Sequence, residues 1–256
     1  MSKRQKIRNF LKSYISSRVD ESVSDLDKNG FLFEKKLFSK NEIKKFFPNL
    51  EFCEGINEKK LYLKKLFEQY SEVYKSEKID VRAKTKNHKI DYGLIDIRDP
   101  DELQDEHPLS LKKDKLLKRI ENFIPNNYKF SYFNVYLYSE CFKPRCLHID
   151  SFNGKHLKAF IYLTTSNFED GVYSYVPGSH KNTFINFLQY ILNKIRRSDL
   201  GVSANDGTLY SVETCSRFSA EEGDMLISDQ RGVHGDLPCT INGSGKIVLV
   251  VNFLKS

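Results

Sequence analysis

The stretch HIDSFNGKHLKAFIYLTTSNFEDGVYSYVPGSHK, residues 148–181, decides the fold predicted for this chain. It contains two runs rich in β-branched and aromatic residues, at 157–165 and 171–176, and the second run leads into the pair Pro177-Gly178. Such runs are typical of β-strands, and Pro-Gly favours a tight turn. Three more runs of this character are FSYFNVYLY (130–138), DMLIS (224–228) and KIVLVVNFL (246–254). Residues 128–256 are therefore predicted to form an antiparallel β-core.

Helical periodicity dominates upstream of this core, where apolar residues recur at a spacing of three and four positions. Three helices are predicted here. The first begins at Ser39 or Asn41, the second runs from about residue 57 to about residue 75, and the third follows a cap at Ser110 and ends near residue 124. One further helix, about 183–197, is predicted within the β-core. The whole chain, 1–256, is thus predicted to be one domain in which 25–127 gives mainly helical support.

Composition limits the class of protein. Hydrophobic residues make up 39% of the chain, with 19 Phe and 14 Tyr, which is enough apolar area for a substantial core. The five cysteines form no CxxC pair, so a reducing, cytoplasmic location is expected. No run approaches the length of a membrane-spanning helix. The net charge of +7 is scattered along the chain and favours anionic partners only weakly.

The N-terminal residues 1–24 are predicted to contain a basic amphipathic helix. Its apolar positions include Ile7, Phe10 and Leu11, and lysines and arginines occupy the opposite face. We expect the apolar stripe to pack on the protein's own core. Peripheral contact of residues 1–18 with an anionic membrane is the alternative.

Two histidines and one aspartate form the candidate chemical site. His148 and Asp150 are one residue apart, so on an extended strand both side chains leave the same face. His234 follows the strand at 224–228, and an antiparallel core can bring it close to that pair. Two imidazoles and one carboxylate are the facial triad of non-haem iron(II) oxygenases, which leaves coordination positions open.

The sequence around these residues resembles the phytanoyl-CoA dioxygenase family of iron(II)- and 2-oxoglutarate-dependent oxygenases. The similar segments are NGFLFEKKLFSKNEIKKF (29–46), EDGVYSYVPGSHK (169–181), EEGDMLISD (221–229) and KIVLVVNF (246–253). The resemblance implies a mainly β fold with helices: a double-stranded β-helix, or jelly roll, with N-terminal and inserted helices packed on one sheet. It also implies Fe(II) on His148, Asp150 and His234, with 2-oxoglutarate and O₂ as co-substrates and succinate and CO₂ as products. His180 belongs to the family's turn and is not expected to be a ligand.

The co-substrate side departs from the family pattern. Family members usually carry an arginine at the position of Gly245, so the nearest cation, Lys246, is predicted to bind 2-oxoglutarate, with Arg145 or Arg231 as substitutes. Asp236 stands where the family often has serine. Two wall contacts are predicted from strand alternation: Tyr136 and Thr164.

Three functions stay open on the sequence. The favoured one is hydroxylation of a C–H bond in a small-molecule, lipid or glycan substrate. Segments 76–108 and 196–217 are predicted to cover the iron, and their cations are either solvated surface charge or an indication that the substrate is anionic. The presence of Asp150 disfavours halogenation, because related halogenases replace that carboxylate with a small residue. The alternatives are a binding or scaffold protein at an anionic surface that has lost turnover, and an oxygenase acting on protein or nucleic acid. A nucleic-acid partner is not expected, since no concentrated basic patch is interleaved with aromatic residues.

Overall fold

The structure is a computed structural model, and it describes only part of the chain. The described residues are 25–72, 81–83, 91, 93–113, 115–139, 144, 147–150, 156–182, 184–188, 191, 210 and 212–256. The predicted N-terminal helix, Arg145 and most of 196–217 lie outside these residues. So does most of the predicted inserted helix, of which 184–188 is helical.

A seven-stranded antiparallel sheet forms the larger layer. Its order is β1-β8-β5-β10-β4-β3-β2. The strand bounds are β1 Phe31–Glu34, β2 Val81–Ala83, β3 Leu94–Arg98, β4 Tyr128–Tyr138, β5 His156–Tyr162, β8 Met225–Asp229 and β10 Lys246–Lys255. All five predicted strand runs are confirmed, either in this sheet or in the smaller one. Strand β1 confirms the short strand that the sequence predicts at 31–33, and β2 and β3 lie in 76–108, where loops with short strands are predicted. These three strands extend both edges of the sheet and satisfy backbone groups that would otherwise be unpaired.

A three-stranded sheet faces the larger one, in the order β7-β6-β9. Its strands are β6 Tyr173–Tyr175, β7 Ser216–Phe218 and β9 His234–Asp236. An isolated antiparallel bridge between His148 and His234 adds one further residue at the β9 edge. The chain crosses repeatedly between the two layers, which is the arrangement of a jelly roll.

Helices pack on the outer face of the large sheet. Their bounds are α1 Asp25–Asn29, α2 Lys40–Phe46, α3 Ile56–Glu72 and α4 Leu116–Glu121. Ser39 caps α2 as predicted, in a capping box with Glu42 that stabilises the helix by about 1 kcal/mol. The predicted cap at Ser110 was wrong: its hydroxyl donates to the Leu103 carbonyl, and α4 begins only at Leu116. Among the described residues no helix is long and apolar enough to cross a membrane.

Strand alternation separates two hydrophobic cores. Strand β10 turns Ile247, Leu249, Val251 and Phe253 toward the helices, where they join the largest buried cluster. The opposite face of β10 points between the sheets, where Val248 and Val250 pack with aromatic residues such as Tyr162 and Tyr175. The two ends of that inner face are polar, with Lys246 at one end and Asn252 at the other, both buried. The inter-sheet space is therefore apolar in its middle and polar at its ends.

Candidate metal centre and cavity

Backbone pairing brings His148 and His234 together. The His148 N–H donates to the His234 carbonyl at 2.7 Å, and the His234 N–H donates to the His148 carbonyl at 2.9 Å. Residues that exchange both hydrogen bonds lie directly opposite each other in an antiparallel pair, so their side chains share one face. The two imidazole centroids are 4.6 Å apart.

Asp150 completes a cluster of three metal-binding side chains. One ligand atom from each of His148, Asp150 and His234 lies within 4.8 Å of the others. The His148 Nε2 is 3.2 Å from Asp150 Oδ1, and the His234 Nε2 is 3.8 Å from Asp150 Oδ2. Both imidazoles thus direct the same nitrogen toward the same carboxylate, as a facial triad requires.

The orientation of His234 is fixed from behind. Its Nδ1 is 3.0 Å from the Gly232 carbonyl. A carbonyl can only accept, so Nδ1 carries the hydrogen and Nε2 presents a lone pair, which is the tautomer that metal-binding histidines adopt. Burial and the neighbouring His148 lower the pKa of His234 to about 3. The imidazole is therefore neutral at physiological pH.

Lys158 is a site residue that the sequence reasoning did not name. Its Nζ lies 2.6 Å from Asp150 Oδ2, and its side chain is 12% exposed. Burial alone would raise the pKa of the Asp150 carboxyl, but the charge of Lys158 and the hydrogen bond with His148 hold that pKa well below its usual range. The sequence pattern could have identified Lys158, because Lys158 shares the inner face of β5 with Phe160 and Tyr162.

A cavity of about 190 Å³ opens beside the triad, between the two sheets. Besides the triad it is lined by Arg82, Asp91, Leu94, Asp96, Tyr136, Tyr138, Lys158, Phe160, Tyr162, Tyr173, Gln230, Gly235, Asp236, Lys246 and Val248. Of the predicted contacts, Tyr136 and Lys246 are therefore in this wall. Burial raises the pKa of Tyr136 to about 12, so its hydroxyl stays protonated and can donate to a ligand.

Two other candidates lie elsewhere. Thr164 follows the end of β5, its hydroxyl accepts from the Ile247 N–H at 2.9 Å, and it lines a separate cavity. Alternation predicted an inward side chain, but the strand ends at Tyr162 and the chain bends there. Arg231 is held by Asp229, with its Nε 3.0 Å from each carboxylate oxygen, and it does not line the triad cavity.

The backbone at Gly245, the position at which the resemblance predicts an arginine, leaves no room for a side chain. Its φ is +88°, and a Cβ there would lie 2.1 Å from the Tyr138 carbonyl oxygen. No side chain fits without a backbone shift, because contacts this close do not occur for real Cβ atoms. Lys246, the next residue, begins the inner face of β10, and its Nζ is 2.9 Å from Asp236 Oδ1.

The polar side chains of Tyr173 and Gln230 line the same cavity as His234. The Tyr173 ring stacks on His234 at 5.7 Å, and the Tyr173 hydroxyl is 2.8 Å from the Ser228 hydroxyl. Gln230 donates to Ser228, whereas its Oε1 is buried with no hydrogen-bond partner among the described residues. A buried acceptor of this kind is suited to a ligand donor.

Comparisons with known proteins identify the architecture. No protein-family model and no curated protein matches the sequence. Solved structures do match. AviO1 from Streptomyces viridochromogenes Tue57 is 17% identical with a TM-score of 0.53, over 90% of this chain and 92% of that one. HygX from Streptomyces hygroscopicus, solved with nickel and 2-oxoglutarate bound, is 16% identical with a TM-score of 0.52, over 90% and 85%. The chain has a jelly-roll core.

The jelly-roll prediction is thereby confirmed, and the neighbours bear on function only by analogy. They include SnoN, a non-haem, 2-oxoglutarate-dependent epimerase from nogalamycin biosynthesis, which is 14% identical with a TM-score of 0.51 over 90% of this chain and 80% of that one. At this identity the likeness establishes the fold, and one fold supports many activities. The narrower assignment to the phytanoyl-CoA dioxygenase family stays a prediction.

Proposed function

We propose that this protein is an Fe(II)- and 2-oxoglutarate-dependent oxygenase that hydroxylates a C–H bond of a small molecule. The observation that carries the proposal is the triad itself: two imidazole Nε2 atoms and one carboxylate converge within 4.8 Å at the wall of the cavity between the two sheets. Jelly-roll neighbours solved with nickel and 2-oxoglutarate support it.

The donor set suits a divalent, oxygen-activating metal. Two neutral nitrogens and one carboxylate neutralise half of the metal's charge and leave three positions for a chelating co-substrate and O₂. His148, Asp150 and His234 would hold the metal, with the Gly232 carbonyl fixing the His234 ring. When bound, the metal and the 2-oxo acid would supply the oxidising chemistry, while the protein orients the substrate and excludes water.

The co-substrate would extend from the triad toward Lys246. His234 and Asp236 lie one pleat repeat apart on β9, roughly 6.6 Å along the strand, and Asp236 contacts Lys246. That span is comparable with the length of a five-carbon diacid. Lys246 would therefore receive the distal carboxylate, and the protonated Tyr136 hydroxyl is placed to donate to the same ligand or to the substrate.

The substrate would be a polar small molecule. The β2–β3 side of the cavity carries Arg82, Asp91 and Asp96, a mixed charge with more acid than base. This wall suits hydroxyl or amine groups better than an acyl chain, and it gives no support to the anionic substrate suggested by sequence. Hydroxylation is favoured over halogenation because Asp150 occupies the position that a halide would need.

The test is anaerobic addition of Fe(II) and then 2-oxoglutarate to the metal-free protein, with the visible charge-transfer band of the chelate and the melting temperature as readouts. The unaltered protein should show both the band and a rise in melting temperature with metal, since a ligand that binds the folded state stabilises it. His234→Ala should lose both. His107→Gln, which changes a histidine outside the cavity, should keep both.

Metal-induced stabilisation without a band would indicate a metal-binding protein that cannot chelate a 2-oxo acid, which is the scaffold alternative. Stabilisation that survives in His234→Ala would exclude the triad as the metal site. Succinate release that depends on a candidate polar substrate would then distinguish turnover from binding.

A further inference from the structure

Lys246 already has an ion-pair partner in the folded protein. Its Nζ donates to Asp236 Oδ1 at 2.9 Å and to the Gly171 carbonyl at 2.5 Å, and it lies 4.6 Å from the centre of the Tyr138 ring. The side chains of Lys246 and Asp236 are only 3% and 17% exposed. Water therefore screens this ion pair weakly.

Asp236 and Lys246 both line the cavity beside the triad. Asp236 shares the inner face of β9 with His234, because residues two apart on a strand point the same way. Both residues line the same cavity as Lys246. A distal carboxylate that extends from the metal centre toward Lys246 would thus meet the Asp236 carboxylate at the ammonium.

Lysine cannot relieve this conflict as arginine could. A guanidinium offers a planar fork of five donors that can serve two carboxylates, whereas an ammonium is a point charge with three donors. Two of those donors already have oxygen partners here. Two carboxylates on one buried ammonium would repel each other at low effective dielectric.

We propose that Asp236 is a specificity-determining residue of the co-substrate site, which weakens selection for a 2-oxo acid with a distal carboxylate. This inference rests on the proposed function. The site would bind 2-oxoglutarate only modestly better than a 2-oxo acid of equal length with a neutral end, such as 2-oxopentanoate. Without the Asp236 charge, the discrimination in favour of 2-oxoglutarate would increase.

The test compares the two acids on the anaerobic Fe(II) protein by equilibrium titration of the chelate band. Asp236→Asn keeps the size of the side chain and an acceptor for Lys246, and removes only the charge. We expect it to tighten 2-oxoglutarate binding about tenfold, the worth of one charge-assisted hydrogen bond, and to leave 2-oxopentanoate binding unchanged. Asp236→Ser, checked for folding by circular dichroism, serves as the second variant.

A matched control is available in Asp101→Asn, which alters another aspartate paired with a lysine, Lys113 at 2.6 Å, away from the cavity. It should change neither affinity. If Asp236→Asn leaves 2-oxoglutarate binding unchanged or weakens it, the ion pair merely joins β9 to β10 and the inference is wrong. If 2-oxopentanoate nevertheless forms the chelate band in the parent and in the variants, the proposed function stands although the inference about Asp236 fails. If neither acid forms it in any variant, both proposals fail.

Discussion

Replacing Gly245 by alanine should destabilise the protein strongly. Gly245 has a φ of +88°, and its added Cβ would lie 2.1 Å from the Tyr138 oxygen and 3.2 Å from Leu63 Cδ1. A left-handed backbone costs a residue with a Cβ roughly 1–2 kcal/mol. Relief of the clash would also move the Gly245 N–H away from Asp170 Oδ1, now at 3.1 Å, and a hydrogen bond to a charged group contributes about 1.5–3 kcal/mol.

The combined loss is about 2.5–5 kcal/mol of unfolding free energy, by those two magnitudes. In a chain of this size that corresponds to a fall in melting temperature on the order of 10 °C. Thermal and urea unfolding of the metal-free protein would measure it. Gly55→Ala is the matched control, since its Cβ would meet nothing nearer than 3.8 Å and its φ is not positive; it should change stability by less than about 0.5 kcal/mol. A Gly245→Ala protein that melts within about 2 °C of the parent, on the same scale, would show that the backbone at this position accepts a side chain and would refute the steric argument.

Two further substitutions test buried ion pairs, one outside the triad cavity and one at the triad. Asp170→Ala should cost about 3–5 kcal/mol in urea unfolding, because it leaves Lys59, now 3.1 Å away, buried without its partner, whereas Glu169→Ala on the surface should cost little. Burial would raise the pKa of Asp170, but hydrogen bonds and the charge of Lys59 lower that pKa. The ionised Asp170 therefore stabilises the fold above the pKa of an unfolded aspartate, and this stabilisation is lost as pH falls through the lower pKa of the folded state. The parent should lose more stability than Asp170→Asn between neutral and acidic pH. Lys158→Met should lower the melting temperature of the metal-free protein, because Asp150 then loses the ammonium that lies 2.6 Å from it. The rise in melting temperature caused by Ni(II) should be larger than in the parent, because the metal then replaces that lost positive charge beside Asp150. An unchanged rise would mean that Lys158 does not act on the metal site.

Much of the local structure follows from the sequence because it depends on neighbours in the chain. The capping box at Ser39 needs only residues 39–42, and it is present. Alternation along β4 assigned Tyr136 to the inner face, and Lys246 was predicted as the cation nearest to Gly245; both line the cavity. Alternation failed at Thr164 because β5 ends before it, and a strand end depends on which partner strands continue beside it.

The pairings that complete the site were decided by tertiary structure. The sequence placed His148 and Asp150 on one face, but the double hydrogen bond that sets His234 opposite His148 depends on how the whole jelly roll closes. The same holds for Lys158 on Asp150 and for Asp236 on Lys246. Periodicity is fixed by backbone geometry within a few residues, so the sequence determined which residue types face inward. Which charge meets which carboxylate is fixed by strand register across both sheets, and only the packed core, by burying one face of every strand, selects that register.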